Sequence, residues 1–127
     1  MTTPHPLALQ TCGRRPCVST QAPRTDPLRR IEPLAFAMDP ARVRSVVLDV
    51  LGRTPRLRIL ERDDSSVHAV IRSAWLRVPT DVELRIDAAA GLVHLRVSTP
   101  LALRERARPR SLSRDLLARF ETAIRAA

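Results

Sequence analysis

Between residues 81 and 98 the chain places two carboxylates, an imidazole and a guanidinium at strand spacing. Asp81 and Glu83 alternate with Val82 and Leu84, while His94 and Arg96 alternate with Val93, Leu95 and Val97. With Ala88 to Gly91 as the loop, the two patterns fit one antiparallel hairpin. Ile86 then faces Val93, Leu84 faces Leu95 and Val82 faces Val97 on the apolar side. The other side pairs Arg85 with His94, Glu83 with Arg96 and Asp81 with Ser98. Asp81, Glu83, His94 and Arg96 thereby form a candidate polar cluster with the groups needed for proton transfer or ion binding. Cross-strand ion pairs on a solvated face explain the same residues. This solvated reading is preferred over one in which the N-terminal arm or the loop from Leu101 to Ser111 folds over the Glu83–Arg96 pair and buries it, because the arginines of that loop resist burial.

A second grouping is electrostatic. Arg104, Arg106, Arg108 and Arg110 surround a single acid, Glu105, and could neutralise several phosphates. The formal net charge is +9, and all 22 basic residues are arginine. A chain without lysine that is also rich in Ala, Leu, Pro and Val carries the mark of a coding bias, which raises arginine content without any anionic partner. The charge is uneven: residues 1–30 hold five Arg against one acid, 31–95 nine against nine, and 96–127 eight against three. With Trp75, Phe36 and Phe120 as the only rings, base stacking has few platforms. Nucleic-acid binding through these flanks therefore ranks second, as a weak electrostatic effect.

The remaining reactive groups are sparse. Cys12 and Cys17 have C-x4-C spacing, but only His5 lies near them and a zinc site needs about four ligands. His68 sits on an expected strand and reads as a satisfied or surface residue. No histidine belongs to an H-E-x-x-H motif, no serine sits in a nucleophile elbow, and three glycines leave no phosphate-cradling loop. The expectation is a non-enzymatic domain without metal or cofactor, acting as a binding or interaction module for a partner the pattern does not name. A carrier of a small apolar ligand, held between sheet and helices, is a further alternative.

The elements that would position these groups follow from periodicity. The length suits one domain. Residues 1–29, with five prolines among Thr, Ser, Gln and Arg, offer little apolar surface to offset ordering entropy and are expected to be a flexible arm. Residues 30–127 are expected to fold. A short strand at Ile31, Leu34 and Phe36 comes first. A helix follows, with Asp39 as side-chain cap, Pro40 at its first position, Val43, Val46, Val47, Val50 and Leu51 as its stripe, and Gly52 as its stop. Leu57 to Arg62 and Val67 to Ser73 flank the turn Asp63 to Ser66. That four-residue loop sets Arg58 opposite Ile71, a mismatch that a bulge would repair. Ala74 to Val78, including Trp75, would extend the second of these strands. After the 81–98 hairpin comes a helix marked by Leu112, Leu116, Leu117, Phe120 and Ile124. The expected fold is α+β, an antiparallel sheet of about five strands with two helices on one face, in the order β-α-β-β-β-β-α.

No apolar run approaches the roughly 18 residues of a spanning helix, and no export signal is visible. The cytoplasm is the expected location, where a stable Cys12–Cys17 disulfide is not the default; two thiols in a flexible arm are the preferred reading, with a redox-formed loop or other thiol chemistry as the alternative.

Arg15-Pro16-Cys17-Val18-Ser19-Thr20-Gln21 resembles the Pro-Asn-Cys-Val-Ser-Ser-Gln opening of the bacterial domain-of-unknown-function family fourteen ninety-nine. Thr80-Asp81-Val82-Glu83-Leu84 resembles its Asp-Asp-Val-Glu-Phe strand, and the likeness extends from about Cys12 to Phe120. Of the family's closing motif only Arg96 and Arg110 match well. Ala102 and Ala107 stand where it has glycines, Glu105 where it has aspartate and Pro109 where it has asparagine. The resemblance implies a domain of that family and no particular reaction.

Overall fold

The computed structural model describes residues 9–13, 16–72, 79–99 and 108–127. Its best specified part is the hairpin of β5 (Thr80–Asp87) and β6 (Leu92–Ser98). Every pair expected from the alternation is observed, from Asp81 opposite Ser98 to Ile86 opposite Val93. Gly91 closes the loop with φ +66°, and a Cβ there would lie 2.8 Å from the Phe36 carbonyl oxygen. The glycine thus permits both the left-handed turn and the approach of β2 (Leu34–Ala35), which pairs with the start of β6.

On the other side of β5 lies β4 (Ser66–Ile71), with Val67 opposite Leu84 and Ala69 opposite Val82. β3 (Leu57–Arg62) pairs with β4 through the expected bulge, the register shifting between Ile59 and Glu61. The extra residue, Leu60, is left exposed, and Leu57 and Ile59 are returned to the face shared by Ile71 and Ala69. The Asp63 carboxylate accepts hydrogen bonds from the Ser65 and Ser66 amides at 2.9 and 2.8 Å, which closes the turn and lowers its pKa.

α1 (Pro40–Gly52) and α2 (Arg108–Ala126) pack against each other and cover one face of the sheet. Val43, Val47 and Leu51 from α1, Leu116 and Phe120 from α2, and Val82, Leu84, Val93, Leu95 and Val97 from the sheet are almost completely buried. This is the apolar side the sequence pattern assigns. Two end signals differ. Asp39 makes no side-chain cap bond and receives the Arg42 and Val43 amides on its backbone carbonyl. Gly52 is the last helical residue rather than the stop, and Arg53 closes the helix through bonds to Asp49 and Val50.

The larger difference is at the N-terminus. Cys17–Ser19 form β1, which pairs with β6 and places Val18 in the core opposite Val97. The sheet order is β1-β6-β5-β4-β3, with β2 also on β6, giving six strands where about five were expected. Residues 20–30 return alongside β1: Ser19 donates to the Arg29 carbonyl and accepts from the Ile31 amide. The flexible arm expected over 1–29 is therefore corrected across its described part from Pro16 onward. One valine, several small buried residues and a ladder of backbone bonds order it without a periodic apolar stripe. The strand extension expected at 74–78, with Trp75, lies outside the described residues.

Candidate functional site on the open face of the sheet

Register places a continuous row on the face away from the helices. Glu61 of β3 stands opposite His68 of β4, His68 opposite Glu83 of β5, Glu83 opposite Arg96 of β6, and Arg96 opposite Ser19 of β1. Asp81 lies one step along β5, diagonal to Arg96. The Arg96 guanidinium donates from Nε and Nη2 to Glu83 Oε2 at 3.2 and 3.1 Å, and from Nη2 to Asp81 Oδ2 at 2.5 Å. Asp81 Oδ1 is held by His68 Nε2, and Glu83 Oε1 accepts from Arg85 Nη2 at 3.3 Å. Both oxygens of both carboxylates are thus engaged.

The Glu83–Arg96 pair is not solvated, contrary to expectation: both side chains are 6% exposed. The N-terminal segment is the reason. Gln10 lies over the pair, its amide donating to Glu83 Oε2 at 3.3 Å and its side-chain oxygen accepting from Arg96 Nη2 at 3.4 Å. Leu9, itself buried, donates its amide to Gln21 Oε1 at 2.7 Å. This segment is tethered to β1 by a Cys12–Cys17 disulfide with Cα atoms 5.7 Å apart. The expectation of two separate thiols is corrected accordingly. The bridge closes a ring so short that its effect on the unfolded chain is only about 2 kcal/mol, so its main consequence is local positioning.

His94 separates from the cluster. It shares a row with Arg85, and its Nδ1 lies 2.8 Å from Thr20 Oγ1, which accepts the Leu95 amide at 3.0 Å. The threonine hydroxyl has a second lone pair, so the direction of its bond to Nδ1 follows the His94 tautomer. Burial lowers the His94 pKa, Asp87 opposes the shift and Arg30 adds to it. His94 therefore ties β6 to the strap after β1, while Asp81, Glu83 and Arg96 come together with His68 and Arg85.

A groove of about 370 Å³ adjoins the cluster, lined by Gln10, Glu61, Ser66, His68, Glu83 and Arg85 among others. Beside it, Arg85 Nε is buried without a hydrogen-bond partner among the described residues. A second groove of about 440 Å³ lies on the other side of Gln10, lined by Leu9, Cys12, Ser19, Gln21 and Pro23. Gln10 forms part of both walls.

The arginine stretch is only partly described. Arg104 and Arg106 lie outside the described residues, and Arg108 opens α2. Arg110 Nη2 donates to the Pro27 and Leu28 carbonyls at 3.0 and 2.7 Å, so it fastens α2 to the strap. Among the described residues no group of three or more His, Cys, Asp or Glu has the arrangement of a metal site, and no helix is long and apolar enough to cross a membrane.

The family described as "Protein of unknown function (DUF1499)" matches residues 8–104. The chain belongs to this family. The DUF1499 match begins one residue before Leu9, runs through all six strands and stops before α2, so it contains the whole polar cluster. No curated protein matches the chain.

Proposed function

We propose that this DUF1499 domain is a non-catalytic binding module whose ligand surface is the open face of the sheet at Glu61, His68, Glu83 and Arg85. The observation that carries this reading is the groove itself, walled by members of a largely buried ion cluster. Buried ion pairs seldom add net stability over apolar packing, so a binding role accounts for them better than a scaffold role does. The Arg85 and Glu61 side chains that line the groove favour a small polar ligand that carries both hydrogen-bond acceptors and donors. A catalytic reading has less support, because the carboxylate oxygens are committed to ion pairs and His68 Nε2 to Asp81.

The two alternatives fare differently. An apolar carrier would need space between sheet and helices, where Val43, Val47, Leu51, Leu116 and Phe120 already pack. Electrostatic nucleic-acid binding loses Arg110, whose guanidinium is engaged by backbone carbonyls. We retain the cytoplasm as the proposed location, where a disulfide is usually transient or redox-sensing rather than a permanent staple.

A titration with a mixture of dipeptides, followed by amide chemical shifts, tests the reading. Shifts are expected at Glu61, Ser66, His68 and Arg85 and should disappear in Arg85→Ala. Shifts confined to the helices, or none at millimolar dipeptide, would overturn it.

A further inference from the structure

The segment Leu9–Cys12 lies between the two grooves and over the Glu83–Arg96 pair, contributing Gln10 to both walls. Its hold on that position combines the burial of Leu9, three hydrogen bonds and one covalent tie. The bonds are Leu9 to Gln21, Gln10 to Glu83 and Arg96 to Gln10, the last two long at 3.3 and 3.4 Å. The tie is the Cys12–Cys17 disulfide, which keeps the two Cα atoms 5.7 Å apart. Without it, five residue steps would allow them to separate to roughly 17 Å, far more than is needed to lift Gln10 from Glu83.

The two sulfurs are differently placed. Cys17 is 5% exposed and sits in β1 opposite Ser98, whereas Cys12 is partly exposed and lines the wall of the larger groove. From these placements we propose that the Cys12–Cys17 disulfide is a redox latch. When it is reduced, Leu9–Cys12 leaves the face and the two grooves become one trough over Glu83 and Arg96. The inference rests on the open face being the binding surface, and it assigns that surface a control.

The reductant is a dithiol. Its thiolate attacks Cys12 Sγ, forming a mixed disulfide, and the Cys17 thiolate leaves and takes up a proton. The second thiol of the reductant, deprotonated, then attacks the reductant sulfur in the mixed disulfide and releases the Cys12 thiolate, which is protonated in turn. Two electrons and two protons pass to the cysteine pair, and the reductant departs as its own disulfide. β1 need not move, because its backbone pairing with β6 and the insertion of Val18 do not depend on the sulfur bond.

The test compares the full chain oxidised, reduced by millimolar dithiothreitol, and as Cys12→Ser, without any ligand. Three signals are read by NMR: fast backbone motion of the Leu9–Thr11 amides, solvent exchange of the Arg96 Nε–H, and exchange of the Leu84 and Leu95 amides as a measure of the core. Reduction and Cys12→Ser are both expected to mobilise Leu9–Thr11 and to speed Arg96 Nε–H exchange about tenfold, with the core amides unchanged. Three results would overturn the latch: Arg96 exchange unchanged once alkylation confirms both thiols, loss of core protection together with the segment, or a disulfide that resists dithiothreitol in the native state. Because no ligand enters these measurements, a failed dipeptide titration would remove the binding surface while leaving the latch result readable on its own.

Discussion

Replacing Arg96 with alanine probes the buried cluster most sharply, since Arg96 serves two carboxylates at once. It makes two bonds to Glu83 and one to Asp81, and it donates to Gln10. After Arg96→Ala, Asp81 keeps His68 and is partly exposed, but Glu83, at 6% side-chain exposure, keeps only the contacts from Arg85 and Gln10. A buried charge stripped of its main partner costs about 3–5 kcal/mol. Glu83→Gln is milder, because Arg96 retains Asp81 and the amide preserves the shape, and it should cost about 1–3 kcal/mol. The double variant should therefore lose less than the sum, with a coupling energy of about 1–3 kcal/mol. Urea unfolding of the wild type, both single variants and the double variant supplies all the terms, provided the slope stays constant. If Arg96→Ala costs under about 1 kcal/mol and the coupling is near zero, the pair is solvated and the cover formed by Gln10 is wrong.

Removing residues 1–29 should destabilise the domain by at least about 3 kcal/mol in thermal unfolding, because it strips β1 and the buried Val18 from β6; a loss near zero would contradict the strand. His94 has a pKa below its unfolded value, so the unfolded chain takes up the proton first. Stability should fall as pH drops through about 6.5, continue falling to the folded pKa, and lose that slope in His94→Gln, as read from urea melts at about pH 7.5 and about pH 5.5. Gly91→Ala combines a left-handed φ with a clash against the Phe36 carbonyl and should cost about 1–3 kcal/mol; an unchanged midpoint would mean that β2 does not pack there.

Legibility in the sequence followed the strength of periodic burial. The β5–β6 register was readable because two apolar alternations of similar length flank a short loop, and with Ala88 to Gly91 as that loop Val82, Leu84 and Ile86 fall on the side of Val93, Leu95 and Val97. The β3–β4 bulge could be anticipated from the mismatch that a simple loop would create. β1 could not be read in the same way. Its contribution to the core is a single valine, and much of its order comes from backbone bonds and from Ser19 and Thr20, groups that in sequence look like any polar loop.

The candidate site divides along the same line. Asp81, Glu83 and Arg96 were visible as one face of a hairpin, but His94 was grouped with them only because it shares that face. Its actual partner, Thr20, lies 74 positions away. His68 joins the cluster through the β4–β5 register, a pairing that the sequence reading did not assign. Gln10 is 73 positions from Glu83 and belongs to a segment with no pattern of its own. The nearest signal was the family resemblance beginning close by at Cys12. The burial of the Glu83–Arg96 pair ranked below the solvated reading for the same reason, since the cover comes from a segment whose composition reads as unfolded.

The central claim, that the open face of the sheet is a binding surface, is tested most directly by crystallographic screening with small polar fragments carrying both amide and carboxylate groups. The account predicts fragments in the groove beside Gln10, His68 and Arg85, with an acceptor on the Arg85 guanidinium. Fragments that bind only along α1 and α2, or that leave this groove empty while occupying others, would contradict it.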